Sequence, residues 1–287
     1  MREIVAESWC HLEELLFEDS WNEDIQRYRA PHAFRGLPDS RFELSTSLMR
    51  LGGNYREREK HLLRNFRKYA HSSEEHTANS VWNWMTIAQH HGLPTRLLDW
   101  TYSPMIALHF ATSALGSFGV DGTVWKVNYH ECARQIPYLL RGTLEEEGGH
   151  VFTADSLARA VTSLDEFERL TREDFFLFLE PPSIDARIIN QFALFSIASD
   201  PTAPLDRLLD QTEIDNVKII VPAALKWEVR DRLDQSNITE RVLFPGLDGL
   251  STWLKRHYSP VSPDDGRERR ADGAPQLISD ARWRDTS

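Results

Sequence analysis

The stretch IAQHHGLPTRLLDWTYSPMIALHFATS, residues 87–113, contains the end of one apolar helix and the start of another. Gly92 and Pro94 end the first helix, because glycine accepts a left-handed conformation and proline cannot continue a helix. Ser103 is a typical N-cap for the second helix, and Pro104 follows at the first helical position, where its missing N–H has no cost. The stretch therefore predicts two helices joined by a polar turn.

Both helices are expected in the core of the protein. Ser80 is a suitable cap for the first helix, over residues 81–91. The second helix, over residues 104–115, is apolar in nearly every direction, and that pattern is typical of a buried element. Burial accounts for the apolar side chains, but it does not explain why Arg96 and Asp99 stand beside the turn.

The rest of the chain changes from helices to strands. Helical periodicity before the turn covers residues 2–16 and YREREKHLLRNFRKYAH. The β-favouring stretches after the turn are DGTVWKVNY, DARIINQFALFSIAS and NVKIIVP. The remaining predicted helices cover residues 156–170 and 223–235 and begin near Asp248. Helices first and strands afterwards, without regular alternation, predict an α+β fold.

Charge and composition limit the classes of function. The 287-residue chain is 41% hydrophobic, and its 44 acidic and 33 basic residues give a formal charge of −11. This charge repels phosphates and disfavours nucleic acid as a partner, although a local basic groove is compatible with it. The two cysteines are too few for a disulfide framework. No run approaches the ~18 apolar residues that a membrane span requires. We therefore expect a cytoplasmic protein without a membrane partner.

Several catalytic motifs are absent from the sequence. It contains neither His-Glu-x-x-His nor paired Cys-x-x-Cys. The adjacent His90 and His91 diverge by about 100° on a helix, so no metal site is expected there. The sequence also lacks Gly-x-Ser-x-Gly and the glycine-rich phosphate loops. Zinc chemistry, serine hydrolysis and conventional nucleotide cradles are therefore disfavoured.

Two arginine positions have both a structural and a functional interpretation. Arg96 and Asp99 could form an ion pair that fixes the loop between the helices. Alternatively, the guanidinium could bind a phosphate or carboxylate while the aspartate orients it. Arg35 could be a surface residue, or it could project into a cleft while Gly36 allows close backbone approach. The residues alone leave both interpretations open.

Four segments of the chain resemble the successive motifs of bacterial FRG-domain proteins, which are named for the Phe-Arg-Gly found here at residues 34–36. The segments are AFRGLPDSRFELSTSLMR, AQHHGLPTRLLDWTYSPMIALHFATS, DARIINQFALFSI and VLFPGLDGL. The resemblance implies an FRG domain over residues 30–258, preceded by an N-terminal helical extension over 1–29. It also implies a phage-defence or toxin effector, because FRG-like proteins are associated with such gene sets. Residues 259–287 are rich in Pro, Gly and charge and predict a flexible tail.

A second resemblance is to ADP-ribosyltransferase-like folds. In these folds an early strand carries Arg-Gly or His-Gly, a hydroxyl-bearing strand leads into an alanine-containing helix, and a later strand carries a catalytic Glu. Arg35 and Gly36 match the first place, and Thr101 lies near the second. Gln191 occupies the third, where glutamate is expected. The resemblance implies an ADP-ribosyltransferase-like mixed or antiparallel sheet with an N-terminal helical portion.

The same resemblance implies a cleft that binds a nucleotide-type molecule, with NAD as a candidate substrate and no metal. The cleft would lie between Arg35, a loop over residues 89–101 and a strand on which Arg187, Ile189 and Gln191 share a face. The candidate catalytic residues are Arg35, Asp99 and Gln191. The candidate ligand-binding residues are Arg35, Gly36, Gln89, His90, Thr95, Arg96 and Thr101. The two arginines of these sets would hold phosphates, and Asp99 and Gln191 would orient ribose or base.

Three classes of function fit these expectations. The first is a transferase-like effector, whose macromolecular target the sequence does not identify. The second is a non-enzymatic recognition module, in which the loop is structural and the nine tryptophans serve the core and a partner surface. The third is an RNA-binding or RNA-processing protein, which would need a basic aromatic face.

Overall fold

The protein is described by a computed structural model that covers residues 1–70, 80–183 and 185–260. Within these residues eight strands form one sheet, and two more form a separate hairpin. The strands in chain order are β1 (Arg2–Val5), β2 (Trp21–Asn22), β3 (Arg27–Tyr28), β4 (His32–Leu37), β5 (Leu97–Thr101), β6 (Gly122–Asn128), β7 (Phe152–Thr153), β8 (Phe176–Glu180), β9 (Ala193–Ala198) and β10 (Asn216–Val221). The sheet has the order β1-β10-β6-β4-β5-β9-β8-β7, and β2 pairs with β3.

Helices lie between these strands and after the last of them. In chain order they are α1 (Trp9–Phe17), α2 (Ser47–Arg50), α3 (Tyr55–Ala70), α4 (Val81–His90), α5 (Pro104–Ala111), α6 (Tyr129–Gln135), α7 (Tyr138–Glu147), α8 (Ala154–Ala160), α9 (Leu164–Glu168), α10 (Ala186–Asn190), α11 (Leu205–Asp210), α12 (Ala223–Gln235), α13 (Glu240–Leu243) and α14 (Leu247–His257). The described residues contain no helix with the length and apolarity needed to cross a membrane.

The sheet is antiparallel in its centre and parallel at its two edges. β1 runs parallel to β10 at one edge, and β7 runs parallel to β8 at the other. The pairs between these edges are antiparallel. The prediction of an α+β fold with a mixed sheet is therefore confirmed.

Helix α5 is a core element, as its apolar sequence predicts. Ile106 and Leu108 are buried, and Ser103 caps the helix by accepting a hydrogen bond from the Ile106 amide. Ser80 caps α4 in the same way, since its hydroxyl accepts from the Asn83 amide at 3.1 Å. Both caps satisfy amides that have no partner inside the helix. The helix boundaries predicted from capping residues are thus confirmed at the N-terminal ends.

Gly36 allows α5 to lie directly against β4. A Cβ atom on Gly36 would be 1.8 Å from the carbonyl oxygen of Ala107 and 2.7 Å from the amide nitrogen of Ala111. No side chain fits at such distances without moving the helix. The glycine of the Phe-Arg-Gly sequence is therefore explained by helix packing, whereas the sequence had suggested close approach to a ligand.

The sheet is weakly joined between β4 and β5. β4 pairs with β6 over its whole length, from His32 to Leu37. Its other neighbour, β5, is in register with it only at the pair of Phe34 and Thr101. Beside that pair, the backbone carbonyl of Asp99 accepts a hydrogen bond from the Arg35 side chain. A side chain thus takes the place of further strand pairing.

Two predictions of secondary structure are wrong. The predicted helix over residues 2–16 begins only at Trp9, because Arg2–Val5 is β1 and adds an edge strand to the sheet. The predicted helix over residues 156–170 is divided into α8 and α9. The N-terminal segment is therefore part strand and part helix. Of the predicted tail over 259–287, residues 261–287 lie outside the described residues.

The segment from Asp185 to Ser199 is also different from its prediction as a strand. Asp185 caps α10 by accepting a hydrogen bond from the Ile188 amide at 3.0 Å, and β9 begins only at Ala193. Phe192, with a φ of 46°, makes the turn between them. Gln191 therefore stands at the end of a helix, and Arg187, Ile189 and Gln191 do not share the face of a strand.

Candidate functional site

A cavity of about 200 Å³ lies where β4, β5, α4 and α10 meet. Its polar lining residues include Arg35, Gln89, His90, Asp99, Arg187 and Gln191. Gly36 and Thr101 line it as well. Of the residues predicted for the site, only Thr95 and Arg96 are not part of this lining. The structure thus brings most of the predicted residues together, although α10 replaces the expected strand, and the expected loop over residues 89–101 is partly the end of α4 and partly β5.

Arg35 is held at the gap between β4 and β5. Its Nη1 atom donates to the backbone oxygen of Asp99 and lies 3.9 Å from the Asp99 Oδ2 atom. Its Nε atom is buried without a hydrogen-bond partner in the described part of the chain. Burial lowers the pKa of Arg35, Asp99 acts in the opposite direction, and the positive charge of Arg50 lowers it further. The guanidinium is therefore fixed at the cavity with donor capacity left over.

Asp99 presents its carboxylate to the cavity in a defined orientation. Its side chain is 63% exposed, and its Oδ1 atom accepts a hydrogen bond from Gln89 Nε2 at 3.0 Å. The Oε1 atom of Gln89 in turn accepts from the Thr95 hydroxyl at 2.6 Å. Thr95 therefore lies behind the cavity and orients Gln89, so its predicted role as a ligand contact is replaced by a positioning role.

Arg96, a predicted ligand-binding residue, does not line the cavity, and it does not form the alternative ion pair with Asp99 either. The Arg96 guanidinium is buried between two carboxylates, with Nε 2.8 Å from an oxygen of Glu59 and Nη2 2.6 Å from an oxygen of Glu168. Asp99 lies within β5 and lines the cavity, whereas Arg96 precedes β5 at a bend, from which its side chain reaches α3 and α9. Arg96 thus ties the start of β5 to α3 and α9.

Gln191 and Thr101 line the cavity, and the side-chain donor of each is already hydrogen-bonded to a backbone oxygen. The Gln191 Nε2 atom donates to the backbone oxygen of Leu243 at 2.9 Å, which connects α10 to α13. The Thr101 hydroxyl donates to the backbone oxygen of Gln191 at 2.7 Å and accepts from the Ser103 amide at 3.1 Å. These two residues therefore join the cavity walls, and neither the position nor the bonding of Gln191 resembles that of a catalytic glutamate on a strand.

His90 closes the side of the cavity at the end of α4. Its Nε2 atom lies 2.6 Å from an Oδ atom of Asp185, the residue that caps α10, and its side chain is mostly buried. This contact ties the end of α4 to the start of α10. Like Gln191, His90 holds the walls together.

Arg187 is a cation of the cavity that was predicted to share a strand face with Gln191 but was not among the predicted catalytic or ligand-binding residues. It is exposed, and its guanidinium lies over the Phe244 ring at 5.1 Å from the ring centre. It has no ion pair among the described residues. Asp185, a preferred capping residue, was the sequence signal that could have placed Arg187 in the first turn of a helix. The interpretation of the segment as a strand concealed that signal.

Comparison with known proteins finds a family match for the segment that supplies most of the cavity lining. Residues 30–118 match the family model of the FRG domain. The chain contains an FRG domain. This match includes β4, α4, β5 and α5, and thus Arg35, Gln89 and Asp99, whereas α10 with Arg187 and Gln191 lies beyond it. No curated protein and no solved structure matches the chain.

Proposed function

We propose that the FRG domain of this protein binds a nucleotide-type small molecule in the cavity between β4 and β5, with NAD as the candidate substrate. The observation that carries the proposal is that a mostly buried arginine and an exposed carboxylate lie side by side in one cavity. A guanidinium is suited to bind a phosphate or another anionic oxygen, and a carboxylate accepts hydrogen bonds from ribose hydroxyls. Arg35 and Asp99 have these two roles.

The size of the cavity favours one half of a dinucleotide. Its volume is about 200 Å³, which is below the ~300–1,000 Å³ of typical small-molecule sites. A ribose with its base therefore fits better than a whole dinucleotide. Arg187 is exposed on the wall, and a phosphate that extends out of the cavity would meet its charge. The second nucleotide would then lie outside, near Arg187 and Phe244.

If the ligand is NAD, Asp99 is the carboxylate that could support glycosyl transfer. In that reaction the bond between ribose and nicotinamide breaks, and nicotinamide leaves as a neutral base. An acceptor oxygen or nitrogen then bonds to the ribose carbon and loses a proton. Positive charge develops on the ribose in the transition state, and a fixed negative group beside it stabilises that charge. Gln89 and Thr95 fix the Asp99 carboxylate before any ligand binds. A role as a defence or toxin effector is proposed on the family resemblance.

The proposal is tested by calorimetry and by nicotinamide release. Wild type, Asp99→Asn and the control Asp210→Asn are titrated with NAD, ADP-ribose, ATP and nicotinamide. They are then incubated with NAD and a cell lysate that supplies acceptors. We expect NAD to bind wild type and both variants, and nicotinamide release to be lost only in Asp99→Asn. If wild type binds NAD but releases no nicotinamide, the protein is a nucleotide sensor and not a transferase. If none of the four compounds binds wild type, the nucleotide proposal fails and a non-enzymatic recognition module is favoured.

A further inference from the structure

The sequence VLFPGLDGL, residues 242–250, forms the end of α13, a turn and the start of α14. None of these residues lines the cavity of the candidate site. A Cβ atom on Gly249 would lie 1.9 Å from the carbonyl oxygen of Phe244 and 2.7 Å from that of Glu240. The glycine therefore allows α14 to lie directly against the backbone of α13, and the two helices form one tightly packed pair.

A buried arginine fixes the position of this helix pair. Arg256 on α14 donates two hydrogen bonds to the Glu240 carboxylate on α13, at 2.6 and 2.7 Å. It donates two more to the Asp234 carboxylate on α12, at 2.9 and 2.7 Å. Arg256 and Glu240 are both buried. Because bidentate pairs of arginine and carboxylate are strong and specific in geometry, the helix pair is held in one place on α12.

The fixed helix pair supports α10, the wall of the cavity that carries Arg187. The backbone oxygen of Val242 accepts a hydrogen bond from the Asn190 side chain at 2.8 Å. The backbone oxygen of Leu243 accepts one from the Gln191 side chain at 2.9 Å. The end of α13 thus holds α10 from outside the sheet.

Phe244, the residue after α13, contacts two residues of the cavity lining without lining the cavity itself. Its ring is edge-on to that of Phe110, with 6.2 Å between the ring centres and 89° between the ring planes. The Arg187 guanidinium lies over the Phe244 ring at 5.1 Å from its centre, within the ~6 Å at which a cation is attracted to an aromatic ring. Arg187 is exposed and has no ion pair among the described residues. The ring therefore gives its charge a defined position.

We propose that Phe244 is a positioning residue of the site, which holds Arg187 where the guanidinium binds a phosphate of the ligand. The inference rests on the proposed function, because that function supplies the phosphate. An exposed arginine loses side-chain freedom when it binds, and this loss weakens binding. A guanidinium already held on a ring loses less. Phe244 thus raises the affinity for phosphate without touching the ligand, and Arg256 and Gly249 keep Phe244 in place.

A double-mutant cycle on ligand affinity tests this role. Wild type, Phe244→Leu, Arg187→Ala and the double variant are titrated with ADP-ribose by calorimetry, after thermal melts confirm that each is folded. Arg187→Ala should weaken binding about ten- to hundredfold, and Phe244→Leu about three- to tenfold. In the Arg187→Ala background the Phe244 substitution should have no further effect, because residues that act through one contact are not additive. Phe244→Tyr keeps the ring and should bind within about twofold of wild type.

A second measurement needs no ligand. The order parameter of the Arg187 Nε–Hε group is measured by NMR in wild type and in Phe244→Leu. The control is Tyr138→Leu, which removes the ring beneath another arginine, Arg141, at 5.7 Å from the ring centre. We expect the Arg187 order parameter to fall below about 0.6, the range of flexible groups, in Phe244→Leu and to be unchanged in the control.

The two measurements separate this inference from the proposed function. If Phe244→Leu weakens ADP-ribose binding equally with and without Arg187, Phe244 is a general packing residue and the inference is wrong. An Arg187 order parameter that is the same in Phe244→Leu and wild type overturns it as well, whether or not a ligand binds. If ADP-ribose does not bind wild type but Phe244→Leu releases Arg187, Phe244 does hold the arginine, and the phosphate role is overturned together with the proposed function.

Discussion

Arg35 and Arg96 are two arginines of the same FRG domain, and they differ in what their charges face. Arg96 is buried between the carboxylates of Glu59 and Glu168. Arg35 contacts a backbone carbonyl, and its nearest carboxylate, Asp99, is 3.9 Å away and largely exposed. Each arginine has one buried nitrogen without a partner in the described part of the chain. The two arginines therefore do not differ in having an unpartnered nitrogen. They differ in their neighbouring carboxylates, because Arg96 contacts two of them and Arg35 has only Asp99 nearby.

This difference separates a structural role from a binding role. The charge of Arg96 is neutralised by the protein, so nothing further is needed at that position. The charge of Arg35 faces a cavity, and burial lowers the pKa of its guanidinium. An anion in the cavity would reverse that shift, because an opposite charge favours the charged form. The comparison predicts that substitution of Arg96 affects folding and that substitution of Arg35 affects ligand binding.

The largest effect is expected from Arg96→Ala. The substitution leaves Glu59 buried without its cation, and breaking a buried ion pair in this way costs about 3–5 kcal/mol. Urea unfolding followed by circular dichroism measures the loss of unfolding free energy. The control is Arg64→Ala on exposed α3, which should change the unfolding free energy by less than about 0.5 kcal/mol. If Arg96→Ala loses no more unfolding free energy than Arg64→Ala, the ion pairs of Arg96 do not stabilise the fold.

Arg35→Ala is expected to affect ligand binding and not folding. It removes a charge-assisted hydrogen bond to the ligand, which is worth about 1.5–3 kcal/mol of affinity, or roughly a ten- to hundredfold increase in Kd. Calorimetric titration with NAD and ADP-ribose measures the change. The matched control is Arg41→Ala, an exposed arginine that pairs with Asp39. If the Arg35 variant binds as tightly as the control, Arg35 is structural and resembles Arg96 after all.

Gly36→Ala tests whether the residue beside Arg35 serves packing. The added methyl group would meet the backbone of α5 at 1.8 Å, so the helix must move, and overpacking of this kind costs about 1–3 kcal/mol. Thermal and urea unfolding measure the loss. Gly116→Ala is the control, because a Cβ there has no atom within 4 Å. A Gly36 variant as stable as the Gly116 variant would contradict the packing explanation.

The sequence was most informative where local chemistry determines the structure. Ser80, Ser103 and Pro104 fix the starts of α4 and α5 through backbone groups within one turn, so both starts were predictable. The apolar surface of α5 likewise predicts its burial. These features depend on neighbours in the sequence and need no knowledge of the rest of the fold.

The partner of Arg96 was not predictable in the same way. Asp99 is near it in the sequence, but Glu59 and Glu168 come from helices far along the chain, and only the fold brings them together. The error at Gln191 has a different cause. The stretch ARIINQF after Asp185 is compatible with a strand and with a short helix, because periodicity does not distinguish the two over so few residues. The capping character of Asp185 was the clue that favoured the helix.

Gln191→Ala is expected to have the smallest effect, and it tests the resemblance to a catalytic glutamate most directly. The Gln191 side chain donates to the backbone oxygen of Leu243, and the neighbouring Asn190 donates to that of Val242 at 2.8 Å. Both bonds connect α10 to α13, so Asn190→Ala is a matched control outside the cavity lining. Each substitution should cost about 0.5–1.5 kcal/mol of unfolding free energy. If Gln191 is only a connector, the two variants should release nicotinamide at equal rates. A loss confined to Gln191→Ala would show that position 191 acts in the reaction despite its helical setting.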